Sequence, residues 1–170
     1  MTGKNPYVFG KTESAHDLIG LLFRLTMIAC ALVVGLHSFW PEGYPYLSPI
    51  AWLQHRACVY IGFGLLTLSL MWTLVAQAQM GASWRIGIDA QHVAPLVQRG
   101  VFRISRNPIF LGMRATLLGL FLLLPNAATF ALLLLGDALM QIQVRLEEEF
   151  LRQAHDEAYV NYRREVRRWL

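Results

Sequence analysis

The sequence predicts an all-α, polytopic membrane bundle of about four transmembrane helices, including a short hairpin in the C-terminal half, followed by a cytoplasmic C-terminal helix. Three observations carry that prediction. Hydrophobic residues make up 55% of the chain and charged residues only 15%, where soluble domains average roughly a quarter charged. The apolar residues gather in long runs instead of recurring at surface-helix spacing. The basic residues behind the net charge of +4 flank those runs, as the positive borders of membrane helices do. They form no single stripe, which argues against nucleic acid as a partner and for the lipid bilayer. The 170 residues suit one domain, with N-terminal transmembrane helices over 17–80 and a second half over 81–170.

The first run extends from about Asp17 to Trp40. Lys4 and Lys11 precede it as they would a signal peptide, but it lacks a small-x-small cleavage pattern and more spans follow, so it reads as a retained helix. The second, from about Ala51 to Met80, exceeds the roughly 20 residues that cross the hydrocarbon, so it should tilt or project into water. The third (about Pro108 to Leu124) and fourth (about Ala127 to Val144) are near the lower limit. Only Pro125-Asn126 joins them, a turn-forming pair, which predicts a tight helical hairpin. Gly62, Gly64 and Gly119 suit close packing within one chain or between chains, so oligomeric state stays open.

Orientation follows from the basic residues. The Pro41–Pro49 connection and the Pro125-Asn126 turn carry no Lys or Arg. Arg85, Arg99, Arg103 and Arg106 lie between the second and third spans, and Arg145, Arg152, Arg163, Arg164, Arg167 and Arg168 follow the fourth. Both termini and the 81–107 segment are therefore expected in the cytoplasm, in the inner membrane if the cell is bacterial.

Arg24, Arg114 and Asp137 interrupt the apolar runs. Arg114 and Asp137 are equally far from the Pro125-Asn126 turn, so the hairpin places them at similar depth, with Arg24 comparably deep in its own span. Charge inside a bilayer is costly and usually pairs or lines a cavity. The spacing predicts an Arg114–Asp137 pair, either a structural tie or the wall of a substrate cavity open to the cytoplasmic leaflet.

Beyond the fourth span, Leu146, Phe150, Ala154, Ala158, Tyr162 and Val166 continue at helical spacing. Glu148, Leu151, His155, Tyr159 and Tyr162 share a second face, either closing a polar pocket or belonging to an interfacial helix. Cys30 and Cys58 lie in apolar runs as small buried hydrophobes. The histidines His16, His37, His55, His92 and His155 are scattered singly, so no metal site is expected.

Two stretches carry a resemblance. Gly100-Val101-Phe102-Arg103-Ile104-Ser105-Arg106-Asn107-Pro108-Ile109-Phe110-Leu111-Gly112 is similar to a family pattern of Gly, an aromatic and a basic residue leading into Arg-His-Pro-x-Tyr-x-Gly. Glu147-Glu148, Leu151, Tyr159, Tyr162 and Val166-Arg167-Arg168 resemble the same family's Glu-Glu pair, leucine, two tyrosines and basic end. Trp84-Arg85-Ile86-Gly87 resembles the Trp-containing stretch that often precedes them. In this order and spacing, from 81 to 170, the chain resembles the isoprenylcysteine carboxyl methyltransferase and phospholipid methyltransferase family of membrane enzymes.

The resemblance implies S-adenosylmethionine as cofactor, in a cytoplasmic pocket beside a lipid-accessible tunnel. Glu147 or Glu148 would accept hydrogen bonds from its amine or ribose hydroxyls, and Arg103 or Arg106 would hold its carboxylate. Backbone near Leu96 and Gly100 would hold the nucleoside, with Gly100 permitting a tight turn. Phe102, Phe110 and Tyr159 would flank adenine or the sulfonium. The family histidine is Asn107 here, its tyrosine is Phe110, and its glycine before the first tyrosine is Asp156. Arg-Asn-Pro fits a bacterial-type subgroup, and Asn107 also suits the N-cap of a helix opening on Pro108.

Methyl transfer to a carboxylate, thiol or amine needs alignment and exclusion of water more than a strong base. An amine acceptor would need Glu148 or His155 to take its proton. Arg114, with Arg24, would hold an anionic acceptor, lipophilic or small. Two other readings keep the same membrane fold: an NADPH-dependent reductase like the steroid and sterol reductases, whose additional helices this chain lacks the length for, and a non-catalytic scaffold.

Overall fold

In the computed structural model, which describes residues 15–81 and 95–170, four helices form the bundle: α1 (Ala15–Phe39), α2 (Arg56–Met80), α3 (Pro108–Leu123) and α4 (Ala127–Glu165). The remaining described structure is turns and short 3₁₀ segments. Lys4, Lys11, Arg85, His92 and the Trp84–Gly87 stretch lie outside the described residues. Leu18–Phe39 of α1, α2 and α4 are long and apolar enough to cross a membrane, while α3 has 16 residues and reaches about 24 Å at 1.5 Å per residue. As far as the break at Asp156, α4 (Ala127–Glu165) reaches about 44 Å at about 1.5 Å per residue, well beyond the hydrocarbon thickness of about 30 Å. Its apolar run ends near Val144, so the membrane-spanning part ends there and the rest projects beyond.

The second span is shorter than its apolar run predicted. The helix begins at Arg56, not Ala51, and Ala51–Leu53 form a separate 3₁₀ turn. The reason lies in the preceding residues, which are pinned to the hairpin turn. Ile50 N donates to Pro125 O (2.9 Å) and Ala127 N to Ser48 O (3.1 Å), a bridge that forces Ser48 to φ +53°. The 25 residues that remain in α2 stand at the upper end of the roughly 17–25 that cross the hydrocarbon.

The hairpin turn is built by Asn126, which is fully buried. Its side chain accepts from Thr129 N (2.9 Å) and donates to Leu124 O (2.9 Å), while Thr129 Oγ1 accepts from Asn126 N (3.3 Å). This reciprocal cap satisfies amides and carbonyls that would otherwise end two helices unpaired. Below the turn, α3 lies close against α2. A Cβ on Gly62 would stand 2.8 Å from Gly119 O, so only glycine permits the approach, and Ser69 Oγ meets Thr116 Oγ1 at 2.8 Å. Small residues and hydroxyl pairs are how helices associate where lipid supplies no hydrophobic drive. On the other side α1 packs on α4, and Cys30 of α1 and Met140 of α4 share a buried cluster with Leu117 of α3. Large apolar side chains such as Leu32, Tyr60, Phe63, Leu68 and Met71 stay exposed, the face that a bilayer covers.

The helix continues past the fourth span as its periodicity predicted, with one break. Asp156 sits at φ +42°, ψ −117°, a conformation that non-glycine residues hold at a cost of about 1–3 kcal/mol. It is the position where the resembled family carries glycine. Asp156→Gly should therefore raise stability by about 1 kcal/mol. A lower unfolding temperature in detergent would show that the aspartate side chain supports the bend.

Candidate functional site

The site begins where the chain enters α3. Gly100 takes φ +59°, the left-handed region that glycine enters without steric cost, and opens the 3₁₀ segment Gly100–Arg103. Gln79 at the end of α2 holds that segment by accepting from Val101 N (2.8 Å). Val101 and Phe102 then bury themselves with Ala76, against Trp72, Met80, Val97 and Ile109, and Trp72 Nε1 donates to Pro108 O (2.8 Å). These contacts fix Ser105-Arg106-Asn107 at the mouth of the hairpin. Asn107 occupies the N-cap position with Pro108 following, but its side chain does not cap. That expectation is corrected: Asn107 Nδ2 points across to α4 instead and donates to Glu148 Oε1 (3.2 Å).

Glu148 is the hub. Arg106 donates to its Oε1 from Nε (3.3 Å) and Nη2 (3.0 Å). Arg168 grips both oxygens, Nη2 to Oε2 at 2.7 Å and Nε to Oε1 at 3.1 Å. The Arg106 and Glu148 side chains are each only 7% exposed, so this is a buried, charge-assisted network. The end of the chain completes it with backbone carbonyls. Arg106 Nη1 donates to Arg163 O and Val166 O (both 3.0 Å), and Arg106 N to Arg167 O (3.0 Å). Arg168 O accepts from Ser105 Oγ (3.2 Å) and Asn107 Nδ2 (3.3 Å). Beyond the Asp156 bend, Tyr159, Tyr162 and Val166 pack with Leu96 and Leu151, and Tyr162 Oη donates to Phe102 O (2.6 Å).

The two neighbouring carboxyls are driven in opposite directions. Burial pushes Glu148 upward, but the Arg168 hydrogen bonds and the charge and hydrogen bonds of Arg106 outweigh it and hold the carboxyl below its usual range. Glu147 is half-buried and has no such partners among the described residues. Burial first, and the Glu148 charge second, push it up from 4.5 to about 7. Burial likewise raises Tyr159 and pushes Tyr162 up to about 12. A carboxyl that holds its proton more tightly when folded contributes stability that is lost as pH rises from about 4.5 to about 7. Glu147→Gln should remove that loss, so its unfolding temperature should gain on the wild type's between about pH 5 and pH 8. Parallel curves would mean that Glu147 ionises as freely as an exposed carboxylate.

Arg106, Asn107 and Glu148 are joined directly, and Leu96 and Tyr159 share the adjoining apolar cluster. Phe102 meets that cluster through Tyr162, and Gly100 stands one turn away. Arg103 is exposed. Phe110 packs elsewhere, against the Cys30, Leu117 and Met140 cluster within the bundle. The predicted Arg114–Asp137 pair forms, through Arg114 Nε and Asp137 Oδ1. Arg24 does not join it: its side chain is exposed on α1 and pairs with no acid among the described residues. Arg168 and Trp169 were not among the predicted site residues, and Trp169 lays its ring 4.5 Å from the Arg114 guanidinium. The basic end of the second motif signalled Arg168, and no motif signalled Trp169.

Three buried side-chain atoms have no hydrogen-bond partner among the described residues: Gln143 Oε1, His155 Nε2 and Tyr159 Oη. Two of these, on His155 and Tyr159, belong to residues on either side of the Asp156 bend, and Tyr159 lies near enough to Glu147 and Glu148 to feel their charge. An open cleft of about 340 Å³ exists at the opposite end, between His37, Tyr44, His55, Arg56 and Pro125. Its side chains are mostly exposed and it meets none of the motif residues. No group of His, Cys, Asp and Glu among the described residues could hold a metal ion.

A model of the phospholipid methyltransferase family matches residues 57–158, more than half of the chain. The match takes in α2, the connection to α3, the hairpin and α4 as far as the bend. Neither the curated proteins nor the solved structures provide a match.

Proposed function

The chain belongs to the phospholipid methyltransferase family, and from that premise we propose an S-adenosylmethionine-dependent enzyme that methylates a lipophilic or small acceptor (a carboxylate, thiol or amine) at the membrane. Methyl transfer by a membrane-embedded protein comes with the family; cofactor, acceptor and residue roles are our reading. The observation that carries it is the junction of the two motif stretches. Residues 41 and 42 positions apart in the chain meet at Glu148 and frame a polar site at the mouth of a hairpin, beside the pair Arg114–Asp137.

The residues fit this cofactor. The unpartnered Tyr159 hydroxyl and His155 Nε2, with the half-buried Glu147, offer donors and acceptors suited to a nucleoside and an amine. Arg106, Asn107 and Glu148 frame the polar end, and the exposed Arg103 would meet a carboxylate. Leu96, Gly100 and Phe102 supply the backbone and apolar wall for adenine. Bound there, the cofactor would supply an electrophilic methyl group. Arg114 would face the acceptor: Nε is committed to Asp137 and one face of the guanidinium to Trp169, which leaves the outer nitrogens for an anionic group. Phe110, in the bundle cluster, belongs to this acceptor side. Glu148 is a poor base, since its carboxylate accepts from three residues and is held ionised. An amine acceptor would therefore lose its proton to His155 or Glu147. Following the arginines, the site and the C-terminal end face the cytoplasm.

Calorimetric titration of detergent-purified protein with S-adenosylmethionine, S-adenosylhomocysteine and NADPH tests the reading. Binding of the two adenosyl ligands is expected. Binding of NADPH alone would replace the methyltransferase by a reductase of the same fold, and binding of none would leave a scaffold.

A further inference from the structure

Within the framework of the methyltransferase reading, the polar groups at the site divide into those already spent and those left over. Every side-chain nitrogen of Arg106 donates to Glu148 or to a backbone carbonyl of the chain's end. Asn107 Nδ2 is shared between Glu148 Oε1 and Arg168 O. Glu148 Oε1 alone accepts from Arg106, Asn107 and Arg168. A group so saturated has little capacity for a ligand unless the chain's end first leaves. Tyr159 stands in contrast. It is 1% exposed, and its hydroxyl has no partner among the described residues, although it lies near enough to Glu148 and Arg106 to feel both charges. His155 is half-buried, and its Nε2 is a buried atom that likewise has no partner among the described residues. Buried polar atoms are satisfied in the great majority of cases, and an exception calls for a reason. Between the two lies Asp156, held at φ +42°, and backbone strain of this kind gathers at ligand sites.

We infer that Glu148, Arg106, Asn107 and Arg168 form a clasp that fastens the C-terminal strap, and that the groups which touch the adenosyl ligand are the Tyr159 hydroxyl and His155 Nε2. A hydroxyl both donates and accepts, and a neutral imidazole nitrogen does one or the other. Together they suit a ligand edge that offers both, as a ribose diol does. The motif acid at Glu148 then acts as a positioning residue: it holds the strap, and the strap holds Tyr159 and Tyr162 against Leu96 and Phe102.

The test pairs two measurements on full-length protein in detergent: the unfolding temperature without ligand and the calorimetric affinity for S-adenosylhomocysteine. Tyr159→Phe removes only a hydroxyl that bonds to nothing among the described residues. It should leave the unfolding temperature unchanged or higher while weakening binding at least tenfold, and His155→Leu should repeat that pattern independently. Arg168→Ala should act first on stability, with a lower unfolding temperature, and any loss of affinity that follows should be restored by Arg168→Lys, which keeps a charged donor for the clasp. Tyr159→Phe and His155→Leu proteins that bind like the wild type would overturn the inference. So would an Arg168→Ala protein that keeps its stability and loses the ligand. If the wild type itself binds no adenosyl ligand, the methyltransferase reading fails first and the inference falls with it.

Discussion

Glu148→Ala should destabilise the protein by about 3–5 kcal/mol, the loss expected when one partner of a buried ion pair is removed and the other is left uncompensated. The reason is what remains behind. The Arg106 side chain is 7% exposed and would keep its charge with only backbone carbonyls to face. Asn107 Nδ2 and the Arg168 fork would lose their common acceptor as well. The strap would loosen, and with it the packing of Tyr159 and Tyr162 on Leu96. Chemical unfolding in micelles measures the loss, and limited proteolysis should find the C-terminal residues newly accessible. Glu149→Ala provides the comparison one residue along. Glu149 pairs with Arg152 on an exposed helix face, where such pairs contribute little, so that variant should unfold with the wild type. Glu148→Gln should fall between, since the amide keeps an acceptor oxygen but loses the charge. If Glu148→Ala proved as stable as Glu149→Ala, Glu148 would not be the hub of the site.

That hub shows where the sequence was readable and where it was not. The hairpin was legible because Pro125-Asn126 is a strong local signal and the apolar runs on either side end sharply. The Arg114–Asp137 pair followed from counting residues away from that turn, since charges at equal depth in lipid seek each other. Both inferences need only local chemistry and the geometry of a straight helix. The start of α2 was misjudged because the cause is distant: Ser48–Ile50 bond to Pro125 and Ala127, far along the chain. The same holds for the strap. Arg168 meets Glu148 only because the helix breaks at Asp156, and no periodicity announces a break at an aspartate. Asn107 illustrates a third kind of failure. Its position was readable as an N-cap, but its side chain had two possible partners, and the buried carboxylate across the hairpin won it from the local amides. A charged acceptor offers a stronger hydrogen bond than a backbone group does.

The membrane-depth pair gives the second large effect. Asp137→Leu would leave the Arg114 guanidinium without its counter-charge inside the apolar bundle, at a cost on the order of 2.5–3.5 kcal/mol. Arg114→Leu would strand the carboxylate instead, although a carboxylate can take up a proton and become neutral more easily than a guanidinium can lose one. Arg114→Leu also removes the partner of Trp169, whose ring lies 4.5 Å from the guanidinium, so it should loosen the end of the strap where Asp137→Leu does not. Replacing both residues by leucine should restore most of the lost stability, because removing both charges of a half-buried pair at membrane depth is far less damaging than stranding one. Refolding or thermal unfolding in bilayer nanodiscs measures all three variants. Additive losses in the double variant would mean that the two charges do not interact. If the double variant recovers stability yet stays inactive toward an acceptor that the wild type methylates, the pair is part of the acceptor site as well as a tie between α3 and α4. Recovery of both stability and activity would reduce it to the tie alone.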